Sequence, residues 1–269
     1  GYHLPSLLAG SEGTLAVITR ACLRLHAPAP QAVVALIGFE AEADAIAAVP
    51  DIRRHVADLR ALELFLADGL ALVCDQLGLP APLDRACAAY LLVEAAGAEG
   101  VTERLAHDVA QLHVPTDAVA VGEDAAQRAR LWRYREAHTE AISMVGVPHK
   151  LDVTVPHSEM AGFISELRGA VGHHAPGAQT WIFGHAGDGN LHVNITGVDP
   201  ADQEVDRLVL ELVAGRGGSI SAEHGIGRAK ADHLHLNRTE AELHLAKRVK
   251  DAFDPDGILN PGVLFPHGT

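Results

Sequence analysis

Sulfur, positive charge and long apolar runs are all scarce in this chain, and each scarcity excludes something. The three cysteines, Cys22, Cys74 and Cys87, follow no Cys-x-x-Cys spacing and are odd in number. Neither a disulfide framework nor a thiolate metal site is therefore coded, and they read as reduced core thiols of a cytoplasmic protein. Lys and Arg number 21 against 35 Asp and Glu, a formal charge of −14, which argues against nucleic acid and anionic membranes as partners. An anionic substrate would need a local basic site working against that field. No apolar run approaches the roughly 20 residues of a membrane span, and the first residues do not read as a signal peptide. The chain instead opens at Gly1-Tyr2 and almost at once enters Leu7-Leu8-Ala9-Gly10-Ser11-Glu12-Gly13-Thr14, which reads as the middle of a fold and makes a fragment the expectation.

What is present is enough for a sizeable core: 269 residues, 48% hydrophobic, in one or two domains. Residues 14–25 alternate as a strand closing an upstream unit, and Ala27-Pro28-Ala29-Pro30 marks a boundary. Beyond it, Val33–Phe39 reads as a strand, followed by an Ala-rich helix to about Arg60 with Pro50 as a break or second start. Leu62–Leu66 and Tyr90–Glu94 read as strands, Leu70–Leu77 and Thr102–Leu112 as helices, and Val119–Val121 as a short strand. Two successive strand-helix-strand units give the order of a ferredoxin-like antiparallel sheet with helices, an α+β fold. A long helix is predicted over Asp124–Met144, a strand over Lys150–Val155 and a helix from Ser158 toward Arg168. Trp181–Phe183 and Leu191–Ile195 should pair as strands, with helices over Asp199–Ala214 and Ala241–Phe253.

The densest chemistry lies in Gly184-His185-Ala186-Gly187-Asp188-Gly189-Asn190-Leu191-His192 and in Ser221-Ala222-Glu223-His224-Gly225. The glycine-rich turn folds one strand back on the other, bringing His185 near His192. Period two puts His192 and Asn194 on one strand face and Leu191, Val193 and Ile195 on the other. Glu223 supplies a third ligand, and an open His₂Glu site suits zinc or another borderline divalent ion, with open positions marking catalysis. Ordinary hairpin histidines are the alternative in a chain with 17 of them. That reading fits His113, His138, His174 and His244, but polar residues sharing an inner strand face need partners. Asp188 reads as a turn former. Arg135 and Thr139 lie four apart on one helix face at the edge of an apolar stripe. Lys150, Asp152 and Thr154 share a strand face. A guanidinium and an ammonium together would make an anion pocket, although for Arg135 and Lys150 spacing alone leaves a solvated face equally open.

Four ordered motifs then carry a resemblance: Gly10-Ser11-Glu12-Gly13-Thr14-Leu15, the Gly184–His192 turn, Ser221-Ala222-Glu223-His224-Gly225-Ile226-Gly227 and Asp254-Pro255-x-Gly257-Ile258-Leu259-Asn260-Pro261-Gly262. They span nearly the whole chain, which resembles the C-terminal part of the FAD-linked oxidase family that includes D-lactate dehydrogenase, the glycolate oxidase flavoprotein subunit and D-2-hydroxyglutarate dehydrogenase. The resemblance implies FAD-dependent, metal-assisted oxidation of a D-2-hydroxyacid to the 2-oxoacid by a two-domain flavoenzyme whose α+β cap domain covers the flavin. It implies a divalent metal, zinc foremost, on His185, His192 and Glu223. Arg135, Thr139, Lys150 and Asn194 are implied to contact substrate, and His224 to take the hydroxyl proton. Gly10, Ser11, Glu12, Gly13, Thr14 and Asn260 are implied to approach FAD. On this reading residues 1–30 are the remnant of the FAD domain and 31–269 the substrate domain, with the tail from about 240 returning toward the flavin.

Two features depart from the family pattern. Ala16 stands where glycine usually follows Gly-Thr-Leu, and the family's glycine-rich pyrophosphate loop is not in this sequence. The chain alone is accordingly expected to be inactive, needing the FAD-domain segment, an electron acceptor and a 2-hydroxyacid as partners, with a homodimer as the assembly to look for. A metal-dependent hydrolase or a non-catalytic metal and carboxylate module are the rival readings. A nucleotide P-loop at Gly10–Thr14 fails because no Gly-Lys-Ser/Thr follows.

Overall fold

The computed structural model describes residues 1–265; the last four residues of the predicted tail lie outside that range. In chain order the elements are α1 (Leu4–Leu8), β1 (Gln31–Phe39), α2 (Glu42–His55), β2 (Leu59–Leu66), α3 (Ala67–Leu77), β3 (Ala89–Gly97), α4 (Val101–Ala110), β4 (Val119–Gly122), α5 (Ala125–Glu136), α6 (His138–Val145), β5 (His149–Thr154), α7 (His157–His174), β6 (Gln179–His185), β7 (Asn190–Thr196), α8 (Gln203–Gly215) and α9 (Glu240–Phe253).

The seven strands form one sheet in the order β4-β1-β3-β2-β6-β7-β5, and every neighbouring pair is antiparallel. Its first four strands are the expected ferredoxin-like arrangement, and the hairpin β6–β7 with β5 extends the sheet from the β2 edge. Period two gives each strand two different faces. Leu62, Leu64, Ile182, Leu191, Val193, Leu151 and Val153 join the larger core under α2, α4, α7 and α8. Phe65, Leu92 and Phe183 face the other way, against Leu70 of α3, Leu131 and Tyr134 of α5 and Ile142 of α6. The sheet is thus sandwiched between helical layers, and its second face carries a concentration of polar residues across β2, β6, β7 and β5.

Several local expectations are corrected. Residues 15–29 form no strand, because no neighbouring strand offers them a ladder; Val17, Leu23 and Leu25 are largely exposed. Cys22 is exposed and Cys74 half-buried, so only Cys87 is the expected core thiol. Pro50 does not break its helix, which runs through it to His55. The long helix over 124–144 is jointed at Ala137 into α5 and α6, and α5 starts from a capping box made by Asp124 and Gln127. Gly100 and Pro156, not Thr102 and Ser158, precede α4 and α7.

The hairpin that carries both histidines depends on one close approach. A Cβ on Gly184 would sit 2.9 Å from the Leu191 Cα and closer still to the Asn190 carbonyl oxygen. Gly184→Ala is therefore expected to cost about 1–3 kcal/mol by forcing the strands apart. The check is urea unfolding, where the midpoint should fall at an unchanged slope. Stability equal to the parent would show that the hairpin has room for the extra carbon.

Candidate metal centre and substrate site

The second face of β2, β6, β7 and β5 carries a row of paired polar groups. Glu63 of β2 lies directly opposite His185 of β6, and Asp152 of β5 directly opposite His192 of β7. Phe183 of β6 faces His192, so that His185 sits two residues along on the same side. The Glu63 and Asp152 side chains are 5% and 3% exposed. Carboxylates so deeply placed cost several kcal/mol unless well partnered. Both are. Glu63 accepts from His185 Nδ1 at 2.8 Å with one oxygen and from Arg135 Nε at 2.8 Å with the other. Asp152 accepts the backbone N–H groups of Glu223 and His224 at 2.8 and 2.9 Å, and its other oxygen lies 3.3 Å from His192 Nδ1.

A carboxylate behind each Nδ1 fixes which nitrogen is left to face outward. His185 Nε2 and His192 Nε2 lie 3.4 and 3.8 Å from the same atom, Glu223 Oε1, and His224 Nε2 is also 3.8 Å from it. The His185 and His192 rings meet edge to face with centroids 5.2 Å apart, while His224 stacks on His192 at 5.8 Å. Ligand atoms of Asp152, His192, Glu223 and His224 all fall within 4.8 Å of one another. His185 approaches Glu223 but lies outside that four-residue group; imidazole and carboxylate donors gathered in this way suit a borderline divalent ion. One further observation fits: Asp152 Oδ1, though only 3.3 Å from His192 Nδ1, makes no hydrogen bond, an acceptor that added positive charge at the cluster would compensate. Exposure rises from 15% at the His192 side chain to 51% at Glu223 and 65% at His224. The cluster is closed at its base and open at its mouth.

The titration behaviour follows from the same contacts. Burial pushes the Asp152 carboxyl up, but His192 and the His224 and Glu223 N–H groups outweigh it and hold it well below the usual carboxylate range. Burial lowers the His185 pKa, and Glu63 overcomes this to leave it raised. Burial also draws the Arg135 guanidinium down against the pull of Glu63. His138, fully buried beneath Arg135 between Phe65 and Phe183, is pushed down to about 4 by burial and by that guanidinium. It is a neutral packing group, as the sequence suggested.

The predicted substrate residues divide. Arg135 is buried, paired with Glu63, and stacks 4.7 Å over the Phe183 ring. Lys150 and Asn194 are opposed across β5 and β7, two residues from the Asp152–His192 pair on the same face; Asn194 is buried and Lys150 exposed. Thr139 belongs to α6, across the Ala137 joint from Arg135, and is exposed. Asp188 forms the turn, accepting from Asn190 N. Of the residues expected at the flavin, Asn260 donates to the Glu12 carbonyl at 2.5 Å, while Thr14 is buried with its carbonyl held by Lys250. Glu63 was missed as a site residue, although a lone carboxylate inside Leu59-Arg60-Ala61-Leu62-Glu63-Leu64-Phe65-Leu66 is itself a signal that a partner exists. Asp152 was placed on its face but given no role.

Comparison with known proteins agrees with this architecture. The family described as FAD linked oxidases, C-terminal domain, matches residues 29–264. D-2-hydroxyglutarate dehydrogenase of Stutzerimonas stutzeri is 37% identical over 278 residues, covering 98% of this chain and 59% of that protein. The mitochondrial D-2-hydroxyglutarate dehydrogenase of Bos taurus is 34% identical, covering 99% of this chain and 50% of its own length. The chain thus spans between half and three-fifths of these curated relatives. Among solved structures, alkyldihydroxyacetonephosphate synthase aligns with a TM-score of 0.66 at 16% identity, covering 97% of this chain and 49% of that one. The 4-ethylphenol oxidase of Gulosibacter chungangensis aligns at 0.63 and 17% identity, covering 89% and 55%. At those identities the likeness is one of fold.

Asp152→Asn tests the base of the cluster. Losing a charged acceptor for two backbone N–H groups is expected to cost about 1.5–3 kcal/mol at pH 7. Because the native pKa is depressed, the ionised carboxylate stabilises the fold fully above the unfolded value of about 4, and that contribution fades as pH falls toward the native one. The stability gap between parent and variant should therefore narrow steadily below about pH 4. Urea unfolding across that range reads it; a gap independent of pH would contradict the assignment.

Proposed function

The chain belongs to the FAD-linked oxidase family, as its C-terminal domain, and we propose that it forms the substrate and metal side of a flavin-dependent dehydrogenase oxidising a D-2-hydroxyacid to the 2-oxoacid. The observation that carries the proposal is the approach of His185 Nε2 and His192 Nε2 to the same Glu223 oxygen, with Lys150 on the same sheet face and Arg135 of α5 paired to Glu63. Family membership favours this reading over a metal-dependent hydrolase. In the division of the protein, residues 1–30 go with the flavin-binding part and the rest with the substrate domain, the tail returning toward the flavin through Asn260.

His185, His192 and Glu223 are the residues that would hold a divalent metal, zinc being the best match to imidazole and carboxylate donors. Such an ion supplies Lewis-acid polarisation of the hydroxyl and carboxylate oxygens, and bound FAD supplies the hydride acceptor. Everything else is the work of this chain's side chains. Glu63 occupies Arg135 Nε, so the two terminal guanidinium nitrogens are what a substrate carboxylate would meet in the bidentate manner. Lys150 adds a second, exposed cation on the same face, and two cations suit a dicarboxylic acid such as the one named for the curated relatives. Asn194, beside it, offers an amide for orientation. His224 is the most exposed imidazole of the group, with Asp152 behind its Nδ1 at 4.0 Å. It takes the hydroxyl proton at Nε2, and the buried carboxylate stabilises the resulting imidazolium.

In the flavin-loaded protein, D-2-hydroxyglutarate is expected to bleach the flavin anaerobically. His224→Gln should slow that step by about 10²–10⁴-fold while leaving the half-saturating concentration of acid close to the parent's. Lys150→Ala should raise that concentration for the dicarboxylic acid more than for D-lactate. Stopped-flow absorbance distinguishes the two effects, and a flavin that no D-2-hydroxyacid reduces would overturn the proposal.

A further inference from the structure

The loop that presents Glu223 and His224 is gripped from two sides by carboxylates. From below, Asp152 Oδ2 accepts the N–H groups of Glu223 and His224. From the opposite end of the sequence, Glu12 Oε1 accepts Ile226 N–H at 2.8 Å and Glu12 Oε2 accepts Gly227 N–H at 2.7 Å. Four N–H groups of residues 223–227 are thus fixed by two side chains more than 130 residues apart along the chain. The contact shapes both partners. Gly225 has φ 80°, and a Cβ there would lie 2.8 Å from Glu12 Oε1, so the approach of the carboxylate requires glycine at this position. Glu12 is itself left-handed at φ 52°, a conformation that a non-glycine residue keeps only where its surroundings over-determine it. They do: Asn260 holds the Glu12 carbonyl, and Lys250 ties the Thr14 and Leu259 carbonyls to the Asp254 carboxylate.

We infer that Glu12 is a positioning residue for the metal and base loop, setting the placement of Glu223 and His224 through the Ile226 and Gly227 amides. The inference rests on the metal reading of the cluster. It gives the Gly10–Thr14 segment a task besides any approach to the flavin, since its carboxylate is committed to the loop. A side chain that orients a ligand from behind typically changes metal affinity by about 10–100-fold when altered.

Glu12→Gln keeps the shape but offers one acceptor oxygen where two are needed, and Glu12→Ala removes both. Zinc affinity of the 269-residue chain is measured against a chromophoric chelator, counting only the site lost in His192→Ala. Amide hydrogen exchange over residues 221–228 is followed in the metal-free protein, with the urea midpoint as a control for global damage. The expected result is faster exchange at Ile226 and Gly227 and about tenfold weaker zinc binding in Glu12→Gln, more in Glu12→Ala, at a midpoint near the parent's. Faster exchange with unchanged zinc affinity would reduce Glu12 to an anchor of the N-terminal segment and overturn the inference. Unchanged exchange would overturn it at the contact itself. A parent chain with no His192-dependent zinc site would instead remove the metal reading, and the inference with it.

Discussion

Two carboxylates buried in a mostly aliphatic sheet are the constraint on which the rest of this structure turns. Glu63 and Asp152 stand between core residues of their strands, Leu62 and Leu64 in one case and Leu151 and Val153 in the other, and neither can stay ionised there without close partners. The antiparallel register gives each a histidine as its direct neighbour across the ladder. An imidazole that faces a carboxylate through Nδ1 must offer Nε2 on its other side. Ligand geometry is therefore fixed by strand pairing, and the glycine turn between β6 and β7 has only to keep the register. The remaining Glu63 oxygen recruits Arg135, so one carboxylate orients together the histidine proposed to face a metal and the guanidinium proposed to bind the substrate.

The mouth of the cluster is built on a different principle. Glu223 and His224 lie on a loop, where backbone freedom would scatter them, and carboxylates acting on backbone N–H groups replace the missing ladder. Rigid strands carry the half-buried His185 and His192, and a clamped loop carries the exposed acid and imidazole. The division suits the roles proposed for them, since a ligand set benefits from preorganisation while a proton acceptor must reach solvent and substrate. The overall charge of −14 sharpens the need for Arg135 and Lys150. Without local cations on this face the field of the chain would repel a carboxylate substrate.

The strands, most helices and the histidine hairpin are legible in the sequence because their signals are local. Alternation sorts Leu191, Val193 and Ile195 from His192 and Asn194, and Gly187-Asp188-Gly189 announces a turn. Misreadings came where the outcome depends on distant chain. Residues 14–25 alternate like a strand, but alternation cannot say whether a neighbour exists to pair with. The 124–144 helix is jointed at Ala137, which carries no breaker residue. Glu63 and Glu12 were opaque for the same reason: their partners lie 122 and more than 210 residues away, and only the fold brings them together. The nearness of His185 to His192 across the turn and the turn role of Asp188 were readable from spacing and chemistry, whereas for Arg135 spacing left a solvated face equally open.

The most direct measurement is the zinc K-edge absorption spectrum of the chain loaded with one equivalent of zinc. The account expects a shell of nitrogen and oxygen alone at about 2.0–2.1 Å, with the outer scattering of at least two imidazoles, and its loss in the His185→Ala, His192→Ala double variant. The same shell persisting in that variant, or no stoichiometric zinc in the parent chain, would contradict the claim that these carboxylate-backed histidines form a metal centre.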